Sequence, residues 1–100
     1  MLIVREVFTA KPGQATKLAK LFKRAWGRDA TVRILTDEVG NYNTVVMEMQ
    51  VNDLAEFGAL MDAYRSGKEP KQMDPKLAEE MKHYTEMYAT GRREIWRVVE

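Results

Sequence analysis

The sequence predicts an α+β domain of the ferredoxin-like type, with a four-stranded antiparallel sheet and helices on one of its faces. Four segments are rich in β-branched residues or alternate between apolar and polar positions, which is typical of half-buried strands. Three other segments repeat apolar residues at helical spacing. Their order along the chain is strand, helix, strand, strand, helix, helix, strand, and this order favours a sheet that packs against helices on one side.

The first strand and the first helix are predicted within the opening quarter of the chain. Residues 2–9 are rich in β-branched residues and read as a strand, which Pro12 and Gly13 end. Gly27 is well placed to end the helix that follows. The apolar side of that helix is expected to contain Ala15, Leu18, Leu21, Phe22, Ala25 and Trp26.

A β-hairpin is predicted next. Residues 31–38 have a strand pattern, and residues 42–51 have the pattern of a returning strand. Gly40 and Asn41 lie between them, and both residue types adopt positive φ at little cost. The two strands are therefore expected to be antiparallel neighbours.

Two further helices and a last strand complete the predicted order. Asp53 is expected to cap a helix that ends at Gly67, and residues 66–73 are polar and read as a loop. Asp74 and Pro75 then predict the start of a third helix. The stripe of that helix would contain Leu77, Met81, Tyr84 and Tyr88, with Gly91 ending it and residues 92–99 forming the last strand.

Length and composition limit the classes of protein that fit. The 100 residues are expected to form a single domain over 1–100, and the net charge of +1 gives no reason to expect nucleic acid or an anionic membrane as a partner. The sequence contains no cysteine, which excludes disulfides, thiolate metal sites and cysteine nucleophiles. We see no apolar run that could span a bilayer and no signal-peptide pattern. A cytoplasmic protein is the default expectation.

The third predicted strand carries an acidic residue, Glu48, among valines and methionines. Alternation predicts one apolar face, which should pack under the helices and contains Val45, Met47, Met49 and Val51. The other face mixes charged and apolar side chains, so it suits neither open water nor a dry core. Two sheets that face each other across a symmetric dimer would resolve this conflict. Glu48 would then lie against Arg5, Arg33 or Arg97; the alternative is a solvated carboxylate on an open sheet.

Three stretches of the sequence carry a resemblance to a known family. They are "KPG" before the first helix, "EVGNYNTVV" in the hairpin and "DLAEF" in the second helix, and the most specific positions are Glu38, Val39, Gly40, Asn43, Val45 and Val46. Over nearly its whole length the chain resembles the NIPSNAP-like proteins of the dimeric α+β barrel group, which also contains antibiotic-biosynthesis-type monooxygenases. The resemblance implies a homodimer whose two sheets form a shared barrel, and it implies no agreed reaction.

The first functional hypothesis is a homodimer that binds a small, partly apolar molecule between sheet and helices. Glu48 with Arg33 or Arg97 would orient a polar group of this ligand. Trp96 and Tyr84, together with methionines, would hold its apolar body.

Two alternatives remain open. The resemblance implies relatives that oxidise aromatic quinols without a cofactor, and such an enzyme would use His83 or Glu48 as its base. The other alternative is a purely structural or interaction dimer. The resemblance also extends to haem-degrading relatives, which use an asparagine on the first strand. This chain has Glu6 and Val7 in that region, so we expect no haem and no other cofactor. One histidine and scattered carboxylates lack metal-ligand spacing, so no metal site is expected.

Overall fold

The computed structural model describes residues 1–66 and 74–100 and has the predicted ferredoxin-like architecture. Its elements are β1 (Leu2–Ala10), α1 (Ala15–Trp26), β2 (Arg33–Thr36), β3 (Thr44–Val51), α2 (Leu54–Arg65), α3 (Pro75–Met81), a 3₁₀ turn (Tyr84–Glu86) and β4 (Tyr88–Arg97). The strands form one antiparallel sheet in the order β2–β3–β1–β4. The predicted helix end at Gly67 and the loop that follows it lie outside the described residues.

The third helix is shorter, and the last strand longer, than the sequence predicts. α3 ends at Met81 and β4 begins at Tyr88, so the predicted helical stripe through Tyr84 and Tyr88 was wrong. Gly91 does not end a helix; it lies within β4, directly opposite Phe8 of β1. From Tyr88 onward the backbone N–H and C=O groups pair with β1 in the sheet. This pairing stabilises the strand more than the helical spacing of the apolar residues would stabilise a longer helix.

Capping residues begin the second and third helices as predicted. The side chain of Asp53 accepts a hydrogen bond from the backbone N–H of Glu56 at 2.8 Å. Asp74 accepts one from Leu77 at 2.8 Å, with Pro75 in the first turn of α3. The helices contain 12, 12 and 7 residues, and none in the described part of the chain is long and apolar enough to cross a membrane.

The main core lies between one face of the sheet and helices α1 and α3. Leu18 and Phe22 of α1 are fully buried against Val45 of β3, together with Leu77 and Met81 of α3. The predicted helix-facing side of β3 is therefore confirmed. Helix α2 packs less tightly than α1 and α3. It has no buried residue, and it contributes only Phe57 to a smaller cluster on the same face of the sheet. The looser packing of α2 leaves space between this helix and the sheet.

Candidate functional site

The predicted site residues lie in three different places. Glu48, Arg33 and Trp96 lie on the face of the sheet that no described helix covers, which we call the uncovered face. Tyr84 lies on the helix-covered side, where it packs near Phe22, and Arg97 pairs with Leu2, whose side chain is on that same side. His83 lies in the exposed turn after α3. These residues therefore do not form one site.

A row of four charged residues, the charge row, crosses all four strands on the uncovered face. Arg33 of β2, Glu48 of β3, Arg5 of β1 and Glu94 of β4 occupy directly opposite positions in the sheet. Arg33 Nη2 donates to Glu48 Oε1 at 2.6 Å, and Arg5 Nε donates to Glu48 Oε2 at 2.8 Å. Arg5 Nη1 lies 3.8 Å from Glu94 Oε1. Positive and negative charges thus alternate from one edge of the sheet to the other.

Glu48 is the most enclosed member of the charge row, with only 4% of its surface exposed. Burial by itself raises the pKa of this carboxyl, but the hydrogen bonds from Arg33 and Arg5 outweigh burial and hold the pKa below its ordinary value. Glu48 is therefore ionised at neutral pH, and both of its oxygens are engaged. Such a carboxylate is a weak proton acceptor, which is unfavourable for a general base.

Apolar side chains flank the charge row on the uncovered face. Leu35 is 40% exposed and Trp96 is 54% exposed, although the Trp96 indole N–H donates to Glu94 Oε1 at 3.1 Å. Ile3 and Val46 are half-buried on the same face. The mixed character that the strand alternation predicts is therefore present in the structure.

A cleft of about 950 Å³ lies on the other side of the sheet, between the strands and helices α1 and α2. Its volume exists because α2 stands away from the sheet and buries none of its residues. Apolar and aromatic side chains form most of its lining, chiefly Phe8, Trp26, Met47, Met49, Leu60 and Tyr84. Among the predicted site residues, Tyr84 lines this cleft, whereas Glu48, Arg33, Trp96, Arg97 and His83 are not part of its wall.

One ion pair lies within this apolar lining. Arg93 Nε of β4 donates to Glu6 Oε1 of β1 at 2.5 Å. The Glu6 side chain is 14% exposed and that of Arg93 is 43% exposed. The Arg93 guanidinium carbon lies 5.2 Å from the ring centroid of Phe57, which is the distance of a cation–π contact. The sequence did not single out this pair, because each face of the first strand carries one charge and only the strand register shows which one faces the helices.

Tyr84 is the hydroxyl-bearing residue of the cleft with the most perturbed environment. Burial raises the pKa of Tyr84 well above its ordinary value, and the neighbouring Tyr64 hydroxyl raises it further. Tyr84 is thus a neutral phenol at any physiological pH. Such a phenol is able both to donate and to accept a hydrogen bond.

His83 has the surroundings of a surface residue. Its side chain is 60% exposed, with Nε2 lying 3.6 Å from Glu79 Oε1 and Nδ1 lying 3.4 Å from Glu86 Oε2. No group of three histidine or carboxylate residues in the described ranges is placed to hold a metal ion. Its predicted role as a base remains a prediction.

Comparisons with known proteins identify the fold. No family model matches the chain, and no curated protein does. An uncharacterized NIPSNAP domain protein from Burkholderia xenovorans superposes with a TM-score of 0.72 at 13% identity, covering 99% of this chain and 95% of the other. A NIPSNAP family protein from Agrobacterium tumefaciens gives 0.69 at 11%, covering 99% and 86%.

The monooxygenase branch of the predicted resemblance is also represented among the solved structures. A putative antibiotic biosynthesis monooxygenase from Deinococcus radiodurans superposes with a TM-score of 0.62 at 10% identity, covering 100% of this chain and 94% of the other. The resemblance stated from the sequence is thus confirmed at the level of the fold. At sequence identities this low, structural similarity shows the architecture and leaves the activity open.

Proposed function

We propose that the protein is a homodimer that binds a small, partly apolar molecule in the cleft between sheet and helices. The observation that carries the binding proposal is the cleft itself, with a volume of about 950 Å³ and a lining of methionine and aromatic side chains around one ion pair. Ligand sites typically combine such an apolar wall with a small number of polar groups that orient the ligand. Tyr84 keeps its predicted place in this proposal, while Glu48 and Arg33 belong to the dimer.

The binding proposal is testable by tryptophan fluorescence. The chain has two tryptophans, and Trp26 lines the cleft while Trp96 lies on the uncovered face, so Trp96→Phe leaves a single reporter of the cleft. Phenylbutanol, an uncharged probe with an aromatic end, should cause a saturable change in Trp26 emission. A signal that does not saturate over the soluble range of the probe would overturn the proposal.

A matched pair of variants on α2 localises the binding. Leu60 lines the cleft, whereas Leu54 is an exposed leucine of the same helix that is not part of its wall. Leu60→Glu should weaken phenylbutanol binding at least about tenfold, since a charge in an apolar wall must be desolvated when the ligand binds. Leu54→Glu should leave the affinity unchanged. Equal effects of the two substitutions would place the probe elsewhere.

The dimer proposal rests on the uncovered face. Leu35 and Trp96 expose apolar surface beside the charge row, and a second copy related by two-fold symmetry would cover both. Because positive and negative charges alternate along the row, it offers charges of both signs to an identical row on the partner. The charge row then lies inside the interface, where it sets the alignment of the two sheets.

Native mass spectrometry and sedimentation test the dimer. Leu35→Glu should convert the dimer to a monomer, because it adds a carboxylate in the covered region. Val39→Glu in the neighbouring hairpin turn, where Val39 is almost fully exposed, is the matched control and should remain dimeric. A wild-type protein that is monomeric at micromolar concentration would remove this part of the proposal.

The two alternative functions have less support from the site. A cofactor-independent oxygenase needs a base beside its substrate, but neither His83 nor Glu48 lines the cleft, and both Glu48 oxygens are occupied by arginines. A purely structural role for the dimer would not account for a cleft of this size. If the protein oxidised a quinol with oxygen, and if His83→Ala abolished that activity, the oxygenase would become the better-supported function.

A further inference from the structure

We infer that the ligand of the cleft is a cation, namely a small amine with an aromatic or apolar body, and that Glu6 binds its ammonium group. This inference rests on the proposed binding function and names the chemical class of the ligand. Glu6 lies on the central strand β1, at the floor of the cleft, with most of its side chain buried. It has no role in the charge row, which lies on the opposite face.

The carboxylate of Glu6 has capacity for another donor. Arg93 is its one hydrogen-bond donor among the described residues, and Arg93 binds Oε1. A carboxylate oxygen accepts about two hydrogen bonds, so Oε2 is free to accept a bond from a ligand. Because Glu6 borders an apolar space where charge is poorly solvated, a cationic donor would gain more there than in water.

Arg93 does not offer the same opportunity to an anion. Its Nε is bound to Glu6, its guanidinium face lies over Phe57, and the side chain is 43% exposed to solvent. The Nη groups of Arg93 still carry N–H donors, but a ligand carboxylate that reached them would also come close to Glu6, which reduces the gain for an anion. Both members of the ion pair line the cleft and neutralise each other, so the charge preference of the cleft depends on the spare capacity of Glu6 and on the other charged residues of the wall.

The other charges around the cleft favour a cation as well. Asp29 and Glu56 are part of the wall, and both are acidic. Arg92 also borders the cleft, but its position opposite Val7 directs its side chain to the uncovered face, where its Nε donates to Glu94 at 3.0 Å. Among the described residues, an anionic ligand would therefore face the carboxylates of Glu6, Asp29 and Glu56 and a single arginine, Arg93, which is already paired with Glu6.

Aromatic rings complete a site suited to an amine. Trp26, Tyr64 and Tyr84 are in the wall, and the negative faces of such rings attract ammonium groups. Tyr84 remains a neutral phenol, so its hydroxyl is able to accept a hydrogen bond from an ammonium without adding charge. Carboxylate, aromatic faces and neutral hydroxyl together distinguish a cation from an anion of equal size.

Three probes with the same body test this inference in the Trp96→Phe background. Phenylbutylamine is cationic at neutral pH, phenylbutanol is uncharged and phenylbutyrate is anionic. We expect the amine to bind at least about tenfold tighter than phenylbutyrate, with phenylbutanol between them, as measured by Trp26 emission and calorimetry.

Two substitutions of opposite effect assign the preference to the ion pair. Glu6→Gln should lower the affinity for the amine about tenfold and raise that for phenylbutyrate, because Arg93 loses its anionic partner. Arg93→Met leaves Glu6 unpaired and should favour the amine further. Glu38→Gln, in the exposed hairpin turn, is the control and should change neither affinity. If Glu6→Gln fails to fold, as judged by circular dichroism, Arg93→Met decides the question.

The outcomes separate this inference from the proposed function. If none of the three probes binds, the cleft is not a site for small aromatic molecules, and both proposals fail. If phenylbutyrate binds as tightly as the amine, or if neither Glu6→Gln nor Arg93→Met changes the preference, binding stands and the cation inference fails.

Discussion

Glu48 of β3 and Arg5 of β1 stand directly opposite each other in the sheet, and their side chains are joined by a hydrogen bond of 2.8 Å. Arg33 on the neighbouring strand β2 binds the second Glu48 oxygen at 2.6 Å. One carboxylate thereby bridges three strands. Glu48 is best understood as a structural centre of the uncovered face, whereas the cleft on the other side has its own ion pair.

Glu48→Gln should destabilise the protein by about 1–2 kcal/mol at neutral pH, because it removes the charge that both arginines bind. The folded-state pKa of Glu48 is depressed below its unfolded value near 4.5. Its contribution is therefore present above that pH and is lost as the pH falls through the lower, folded value. Urea unfolding across this range should show the two proteins converging in acid. A difference that stays constant would contradict this account, and Glu38→Gln is an exposed control.

The two arginines that bind Glu48 should contribute unequally. Arg5 is 38% exposed and also lies near Glu94, whereas Arg33 is 71% exposed. In the Leu35→Glu background, which is expected to be monomeric, water screens the more exposed pair, so we expect Arg5→Met to cost about 2 kcal/mol and Arg33→Met about 1 kcal/mol or less. Chemical denaturation of the two variants at one protein concentration compares them. Equal costs would mean that exposure does not govern these interactions.

Tyr84 should make the protein sensitive to alkaline conditions. Its folded-state pKa is raised above the unfolded value of 10, so its contribution is complete below that pH and is lost as the pH rises further. Tyr84→Phe should therefore lose less stability than the wild type above this pH. Denaturation midpoints measured over the alkaline range provide the comparison, with Tyr42→Phe in the exposed hairpin turn as control. Parallel curves for wild type and Tyr84→Phe would refute the prediction.

Asp53→Ala should loosen α2 without unfolding the rest of the chain. The substitution removes the cap bond to Glu56 and should cost the helix about 1 kcal/mol. Because α2 has no buried residue, hydrogen exchange should accelerate within α2 and change little in β1. Asp74→Ala removes the equivalent cap of α3, which buries Leu77 and Met81, and its effect should instead appear in global stability. Similar exchange patterns in the two variants would contradict this distinction.

Local patterns were sufficient for most of the architecture. Period-two alternation in β3 correctly separated Glu48 from the valines and methionines of the core, and capping chemistry placed the starts of α2 and α3 at Asp53 and Asp74. The third helix was extended too far because Tyr84 and Tyr88 follow Leu77 and Met81 at helical spacing. Their aromatic rings instead pack on Phe22 and Phe8 from the 3₁₀ turn and from β4.

The sequence by itself determined the fold class, the order of the elements and the two faces of β3, because these depend on periodicity within each segment. Only the tertiary structure decided that Arg5 joins Glu48 while Glu6 joins Arg93 in the cleft. That choice depends on the register between strands 43 residues apart in the chain, and a shift by one residue would exchange the two faces. The presence of the cleft was also decided by tertiary structure, because it depends on how closely α2 approaches the sheet.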